Sequence, residues 1–235
     1  MYFERIDKII ASTGMMSRSD AKKAAKKGLV KLNGIIIKDC STKASENDDL
    51  TVNGRSVRYK KYVYIMLNKP KGYVCSTDDP SSPIVNLLLN EELQRLNLFS
   101  IGRLDKNTTG LVILTNDGEI AHRIISPSGH INKVYRVQTK FPIDRALSKN
   151  FLDGITLDDG YKCKSAVLDI TDETKCTVTI SEGKYHQIKR MFESVGNKVI
   201  ELTRVSIGNL SLDTGLKQGE YKVLTKPEIS ALTSQ

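Results

Sequence analysis

Positive charge is concentrated in one quarter of this chain, and that asymmetry constrains its organisation more than any other feature. Residues 1–61 contain 14 Lys and Arg against 7 Asp and Glu, whereas residues 62–235 contain 22 against 20. A small basic unit followed by a larger, nearly neutral one is the arrangement of a polyanion-binding module joined to a second domain. A length of 235 residues suits two such units. The boundary is expected near residue 60, giving domains 1–60 and 61–235.

Patterning within the basic quarter is local. Ile6, Ile9 and Ile10 fall at helical spacing, and Gly14 ends that helix. Ser17 or Ser19 caps a second helix, with Asp20 in its first turn and Gly28 beyond its end. Lys22, Lys23, Lys26 and Lys27 line its exposed face. Leu29–Leu32, the turn Asn33–Gly34 and Ile35–Ile37 read as a hairpin. Leu50–Val52 leads to a second turn at Asn53–Gly54, and Arg55–Lys61 reads as a linker. No aromatic residue lies between Phe3 and Tyr59, which favours contacts to phosphates and to the shape of a folded RNA over base stacking.

The larger part is rich in strands, expected at Tyr62–Leu67, Leu111–Thr115, Val134–Thr139, Ala166–Ile170, Cys176–Ile180 and Val199–Thr203. Helices are expected at about 118–125 and 184–195. The second puts Ile188, Met191, Phe192 and Val195 on one face and His186, Lys189, Arg190 and Glu193 on the other. Thr225 and Glu228 form a capping box, with Pro227 in the first turn. The fold class is therefore α+β: a small N-terminal module, then a mixed, mainly antiparallel sheet with flanking helices.

Several functions are disfavoured. No apolar run approaches the ~18 residues of a membrane span. Glu4, Arg5, Asp7 and Lys8 interrupt the first apolar residues, unlike a signal peptide. Cys40, Cys75, Cys163 and Cys176 form no CxxC pair, so a reducing cytoplasm is the expected compartment. His122, His130 and His186 lack metal-ligand spacing, and neither GxxxxGK[ST] nor GxGxxG occurs. No metal and no cofactor are expected.

The most unusual stretch is Gly102-Arg103-Leu104-Asp105-Lys106-Asn107-Thr108-Thr109-Gly110-Leu111, an acidic loop between two apolar segments. Taken alone, Asp105 could simply cap a turn. Its context resembles the GRLDxxTxGL signature of the RsuA-type pseudouridine synthases. Leu67-Asn68-Lys69-Pro70-Lys71-Gly72-Tyr73 resembles the NKPxG segment of that family, and Lys133-Val134-Tyr135 its K-x-Y segment. Glu182-Gly183-Lys184-Tyr185-His186-Gln187-Ile188-Lys189-Arg190-Met191-Phe192 resembles its C-terminal block. The order holds across about residues 62–210. Arg5-Ile6-Asp7, Ser17-Arg18 and Gly28–Gly34 resemble the S4 RNA-binding domain over about residues 3–55.

The resemblance implies breaking the N1–C1′ bond of a flipped-out uridine, rotating the base and rejoining it through C5. Asp105 would act at the sugar, and a carboxylate in a dry site needs a cationic partner, which the resemblance makes Lys189. Tyr135 would stack on the base, Arg103 would fill the vacated space or hold phosphate, and Leu202 would pack behind the base. Arg190 would either meet phosphate or pair with Glu193. Arg5, Arg18, Lys22, Lys23, Lys26 and Lys27 would form the RNA surface of the S4 part. Cys75–Pro80 and the HQ-x-K form favour the small-subunit branch. The implied partner is 16S rRNA or a small-subunit assembly intermediate. With no coiled coil or apolar interface helix in the sequence, a monomer is expected. The same chemistry on 23S rRNA or tRNA, and a non-catalytic S4-type assembly factor, are the alternatives.

Overall fold

The computed structural model describes residues 3–57, 61–126 and 131–234. Arg58, Tyr59 and Lys60, part of the expected linker, and His130 lie outside them. The chain divides into one unit of Met1–Val63 with Leu89–Leu98 and another of Tyr64–Leu88 with Phe99–Gln235.

In the first unit, β1 (Glu4–Arg5) runs into α1 (Ile6–Ser12), followed by α2 (Arg18–Lys26). Ser17 is the residue that caps α2, its hydroxyl accepting from the Asp20 amide at 3.1 Å. A four-stranded sheet follows in the order β3 (Ile35–Ile36), β2 (Val30–Leu32), β5 (Leu50–Val52), β6 (Arg55–Ser56), while β4 (Lys43–Ala44) pairs with β1. Both Asn-Gly turns form with positive φ at each residue, which lets them join adjacent strands tightly. Arg55 and Ser56, expected in a linker, instead pair with Val52 and Thr51; the Asn53–Gly54 turn directs the chain back along β5. Ile6, Ile9, Ile10, Ala21, Ala25 and Val30 lead the core here. The excursion Leu89–Leu98, with α3 (Glu91–Gln94), belongs to this unit, and Arg95 donates to the Gly14 carbonyl at 3.3 Å.

Among the described residues, the second unit is built on a nine-stranded sheet. In chain order its elements are β7 (Tyr64–Lys69), a 3-10 turn (Val85–Leu88), β8 (Phe99–Ser100), β9 (Thr109–Thr115), α4 (Gly118–Ile125) and β10 (Lys133–Thr139). Then come α5 (Leu147–Asp153), β11 (Val167–Asp172), β12 (Lys175–Ile180), α6 (Gln187–Ser194) and β13 (Val199–Ile207). Last are β14 (Leu210–Ser211), β15 (Tyr221–Val223) and α7 (Lys226–Ala231). The principal order is β11-β12-β10-β13-β9-β7-β15, and only the β13–β9 contact is parallel. Every residue of β9 is buried, consistent with its uninterrupted apolar run between two neighbouring strands.

The expected α+β architecture is present, and α4 spans the expected 118–125. Asp117 accounts for the start of α4, accepting from the Glu119 and Ile120 amides at 3.0 and 3.3 Å. The capping box of Thr225 and Glu228 is formed. Helix α6 starts later than expected because His186 sits in the left-handed region, at φ 49°.

The close pairing of β13 with β9 explains one glycine of the signature. Gly110 has φ 99°, and a Cβ there would lie 2.2 Å from the Arg204 carbonyl oxygen. Gly110→Ala must separate two central strands and strain the backbone. It is expected to lower stability by at least about 2 kcal/mol, measured as a fall in the urea midpoint of the second unit.

Candidate active site

The acidic loop 102–108 lies immediately before β9, and the end of the adjacent strand holds it. Lys69, the last residue of β7, is wholly buried. Its ammonium donates toward the carbonyls of Pro70, Asp105 and Lys106 at 3.1, 3.1 and 3.2 Å, and of Thr108 at 2.8 Å. Burial pulls this lysine down to about 8, while the four carbonyl dipoles favour its charged form. Gly72 adds a backbone bond to the Lys106 carbonyl at 2.9 Å. The Asn68–Gly72 segment is thus the scaffold of the loop, a role that sequence patterning did not assign to Lys69.

Held this way, Asp105 meets three side chains. Lys189 of α6 donates to Oδ2 at 2.7 Å. The Thr108 hydroxyl reaches the same oxygen at 3.4 Å. His186 Nε2 stands 3.3 Å from Oδ1. The carboxylate is 29% exposed and Lys189 26%, so the pair is shielded but open to a ligand. Charge-assisted bonds of this length orient as well as compensate a carboxylate. The sequence places His186 in the C-terminal block and on the polar side of its helix, without a role toward Asp105.

The strand end before α6 is fixed by a buried carboxylate. Glu182 accepts from the Gln187 amide at 2.8 Å, the Lys164 backbone at 3.0 Å and the Tyr161 hydroxyl at 2.8 Å. Ile188, Met191 and Phe192 anchor the apolar face of α6, and Phe192 packs on Phe151 of α5 with ring centroids 5.2 Å apart. Lys189 is then carried toward Asp105 on the opposite face.

The sheet supplies the remaining walls. Tyr135 of β10 pairs with Arg204, and Val137 with Leu202, on β13. Tyr135 and Leu202 therefore project on one side of the sheet. Both are buried, and both line a cleft of about 80 Å³ with Arg103, Asp105, Thr108 and His186. Arg204 is buried beneath the loop, donating from Nε to the Leu111 carbonyl at 2.8 Å. Among the described residues, no group of His, Cys, Asp and Glu side chains could hold a metal ion.

The structure brings Asp105, Tyr135, Arg103 and Leu202 to one cleft and bonds Lys189 to Asp105. It gives Arg190 a different neighbourhood. Its guanidinium pairs with Asp158, and with Asp159 at 2.7 Å, rather than with Glu193. The first unit has its own charge arrangement. Asp7 is fully buried and receives Arg5 at 3.1 Å, Arg18 at 3.0 Å and Lys22 at 3.8 Å. Burial pushes its carboxyl up, but the bonds from Arg5 and Arg18 prevail and hold it below the usual range. Lys23 pairs with Asp20, whereas Lys26 and Lys27 project from the end of α2 into solvent.

Comparison with known proteins places the chain in a family. Residues 63–194 match the family model described as RNA pseudouridylate synthase, and residues 4–50 match the S4 domain. The chain belongs to the RNA pseudouridylate synthase family. It is 43% identical over 230 residues to "Ribosomal small subunit pseudouridine synthase A" of Haemophilus influenzae, and 41% identical over 230 residues to the protein of that name in Escherichia coli. Each alignment covers 97% of this chain and 99% of the relative. "Uncharacterized RNA pseudouridine synthase YtzG" of Bacillus subtilis is 41% identical over 233 residues, covering 97% of this chain and 98% of the relative. A solved structure, "Crystal structure of pseudouridylate synthase", superposes with a TM-score of 0.70 at 43% identity, covering 97% of this chain and 99% of that one. The protein is thus an RNA pseudouridine synthase, an isomerase, carrying an S4 domain.

For this pseudouridine synthase, Lys69 predicts a pH limit. Below about pH 8 it is the ammonium that donates to the loop carbonyls; above that, the neutral amine has fewer donors and turns a lone pair toward acceptors. Turnover is expected to decline as pH rises through about 8. Lys69→Met should turn over at least roughly tenfold more slowly and lack that limb, as read by tritium release from [5-³H]uridine-labelled RNA across pH 6–9.5.

Proposed function

We propose that the enzyme isomerises a specific uridine of 16S rRNA, as free RNA or within a small-subunit assembly intermediate. The observation that carries this reading is the Asp105 carboxylate, held by Lys189 beside Tyr135 in a cleft open to solvent. Asp105 attacks at the sugar or supports its developing charge while the N1–C1′ bond breaks. The freed base turns, C5 bonds to C1′, the C5 hydrogen departs as a proton, and N1 takes one up. No redox change occurs.

Each side chain of the cleft has a part in this scheme. Lys189 compensates the charge of Asp105 while water is excluded. The Tyr135 ring stacks on the flipped base, and Leu202 packs behind it. Arg103, exposed at the cleft mouth, holds phosphate or occupies the space that the uridine leaves. Arg190 contacts RNA phosphate by exchanging its Asp158 and Asp159 partners for it.

The small-subunit assignment rests on the two relatives of that name, aligned over nearly the whole of both chains. The S4 unit supplies affinity through phosphate contacts from Arg5, Arg18, Lys22, Lys23, Lys26 and Lys27. Asp7 pre-positions three of these cations, Arg5, Arg18 and Lys22. The enzyme acts as a monomer in the cytoplasm. Among the described residues no helix is long and apolar enough to cross a membrane.

Pseudouridine mapping on 16S and 23S transcripts tests the substrate. Wild type is expected to create one new site in 16S rRNA, and Asp105→Asn none while still binding it. A site in 23S rRNA would retain the chemistry and reject the subunit assignment. RNA retention on filters at graded salt tests the basic unit. Lys26→Glu with Lys27→Glu should weaken binding and flatten the log–log salt slope by roughly 1–2; an unchanged slope would reject phosphate contacts at α2.

A further inference from the structure

A second aromatic feature adjoins the cleft and has no part in the chemistry just described. Tyr185 is 76% exposed, although burial of a tyrosine ring ordinarily stabilises a fold. One face of its ring lies on the His186 ring, with centroids 3.8 Å apart and planes 19° from parallel. His186 is itself fixed by a left-handed backbone and by the cleft, with Nε2 3.3 Å from Asp105. The stack is therefore anchored on the His186 side, while Tyr185 remains largely open to solvent.

Tyr185 lines a groove of about 890 Å³. The groove continues into the cleft through Arg103, Asp105 and His186, which line both. Its apolar walls come from Val74, Phe99 and Leu104. Arg103 and Lys106 supply positive charge, and Asp105 is the sole acidic residue among its described lining. Lys106 is bonded to the neutral Ser82 hydroxyl at 3.1 Å. An aromatic plane beside cations in a trough suits a single-stranded nucleotide, whose base stacks while its phosphate meets the charge.

We propose that Tyr185, backed by His186, is a stacking platform for an unpaired base next to the uridine that enters the Asp105 cleft. The inference rests on the RNA chemistry of that cleft and adds a second base-binding subsite to it. Stacking tolerates any base, so the platform selects for a locally single-stranded strand rather than a letter. It also ties the position of the strand to His186, and through it to Asp105.

The chain contains no tryptophan, so Tyr185→Trp places a single indole reporter on the platform. In an Asp105→Asn background, its fluorescence is titrated with 16S transcript, 23S transcript and tRNA, with filter retention measured in parallel. Quenching by at least about half, saturating together with retention of whichever RNA binds, is expected. Retention without quenching would overturn the platform, whichever RNA is bound. In steady-state tritium release on the RNA that turns over, Tyr185→Ala should raise KM roughly 5- to 100-fold with kcat within about twofold of wild type. Tyr185→Phe should restore KM. An unchanged KM in Tyr185→Ala would also reject the proposal. Absence of 16S turnover by wild type would instead reject the substrate assignment, leaving the fluorescence result to decide the platform.

Discussion

A buried ammonium under a loop governs the geometry of this enzyme. Lys69 brings four carbonyl oxygens around one nitrogen without a carboxylate among its bonded partners. Backbone carbonyls turned inward at a loop would otherwise be poorly paired, and a lysine at full burial would otherwise be costly. Each solves the problem of the other. The result is a loop whose peptide groups face its support, leaving the Asp105 side chain to face the cleft. Lys189, Thr108 and His186 then meet a carboxylate whose position is already set.

The opposite wall is positioned by the same kind of exchange. Glu182 is buried, yet it receives donors from Gln187, Lys164 and Tyr161. Its negative charge is spread over hydrogen bonds and fixes the turn before α6. The two walls thus use opposite charges at their buried supports. The ion pair between Asp105 and Lys189 spans them, so it depends on both supports and on the packing of Phe192 against Phe151. Preorganisation of this kind removes reorganisation from the reaction coordinate.

Much of this was legible in the sequence where local chemistry decides structure. The Asn-Gly turns, the 118–125 span of α4 and the Thr225–Glu228 box are contained within a few residues. The apolar run of β9 was equally clear. Helix α5 was not, because Leu147–Asp153 begins without a side-chain cap and mixes polar residues into a short span. Strand β15 is three residues long and takes its identity from pairing with β7, more than 150 positions earlier. The segment Leu89–Leu98 carries no local sign that it belongs with the first unit.

The cleft divides along the same line. Asp105, Tyr135 and Lys189 were identifiable from motif resemblance; the first two line one cleft, and Lys189 bonds to Asp105 there. Lys69 was visible only as part of a motif, since its function is to bind carbonyls whose location depends on the folded loop. Arg190 shows the converse limit. Helical spacing offered Glu193 as its partner, but Asp158 and Asp159 reach it from outside the helix. His186 combines both cases: its neighbour Tyr185 is adjacent in sequence, whereas Asp105 is brought beside it only by the fold. The aromatic stack and the Asp105 carboxylate consequently share one neighbour. A strand resting on Tyr185 and a uridine presented to Asp105 would be held by a common support.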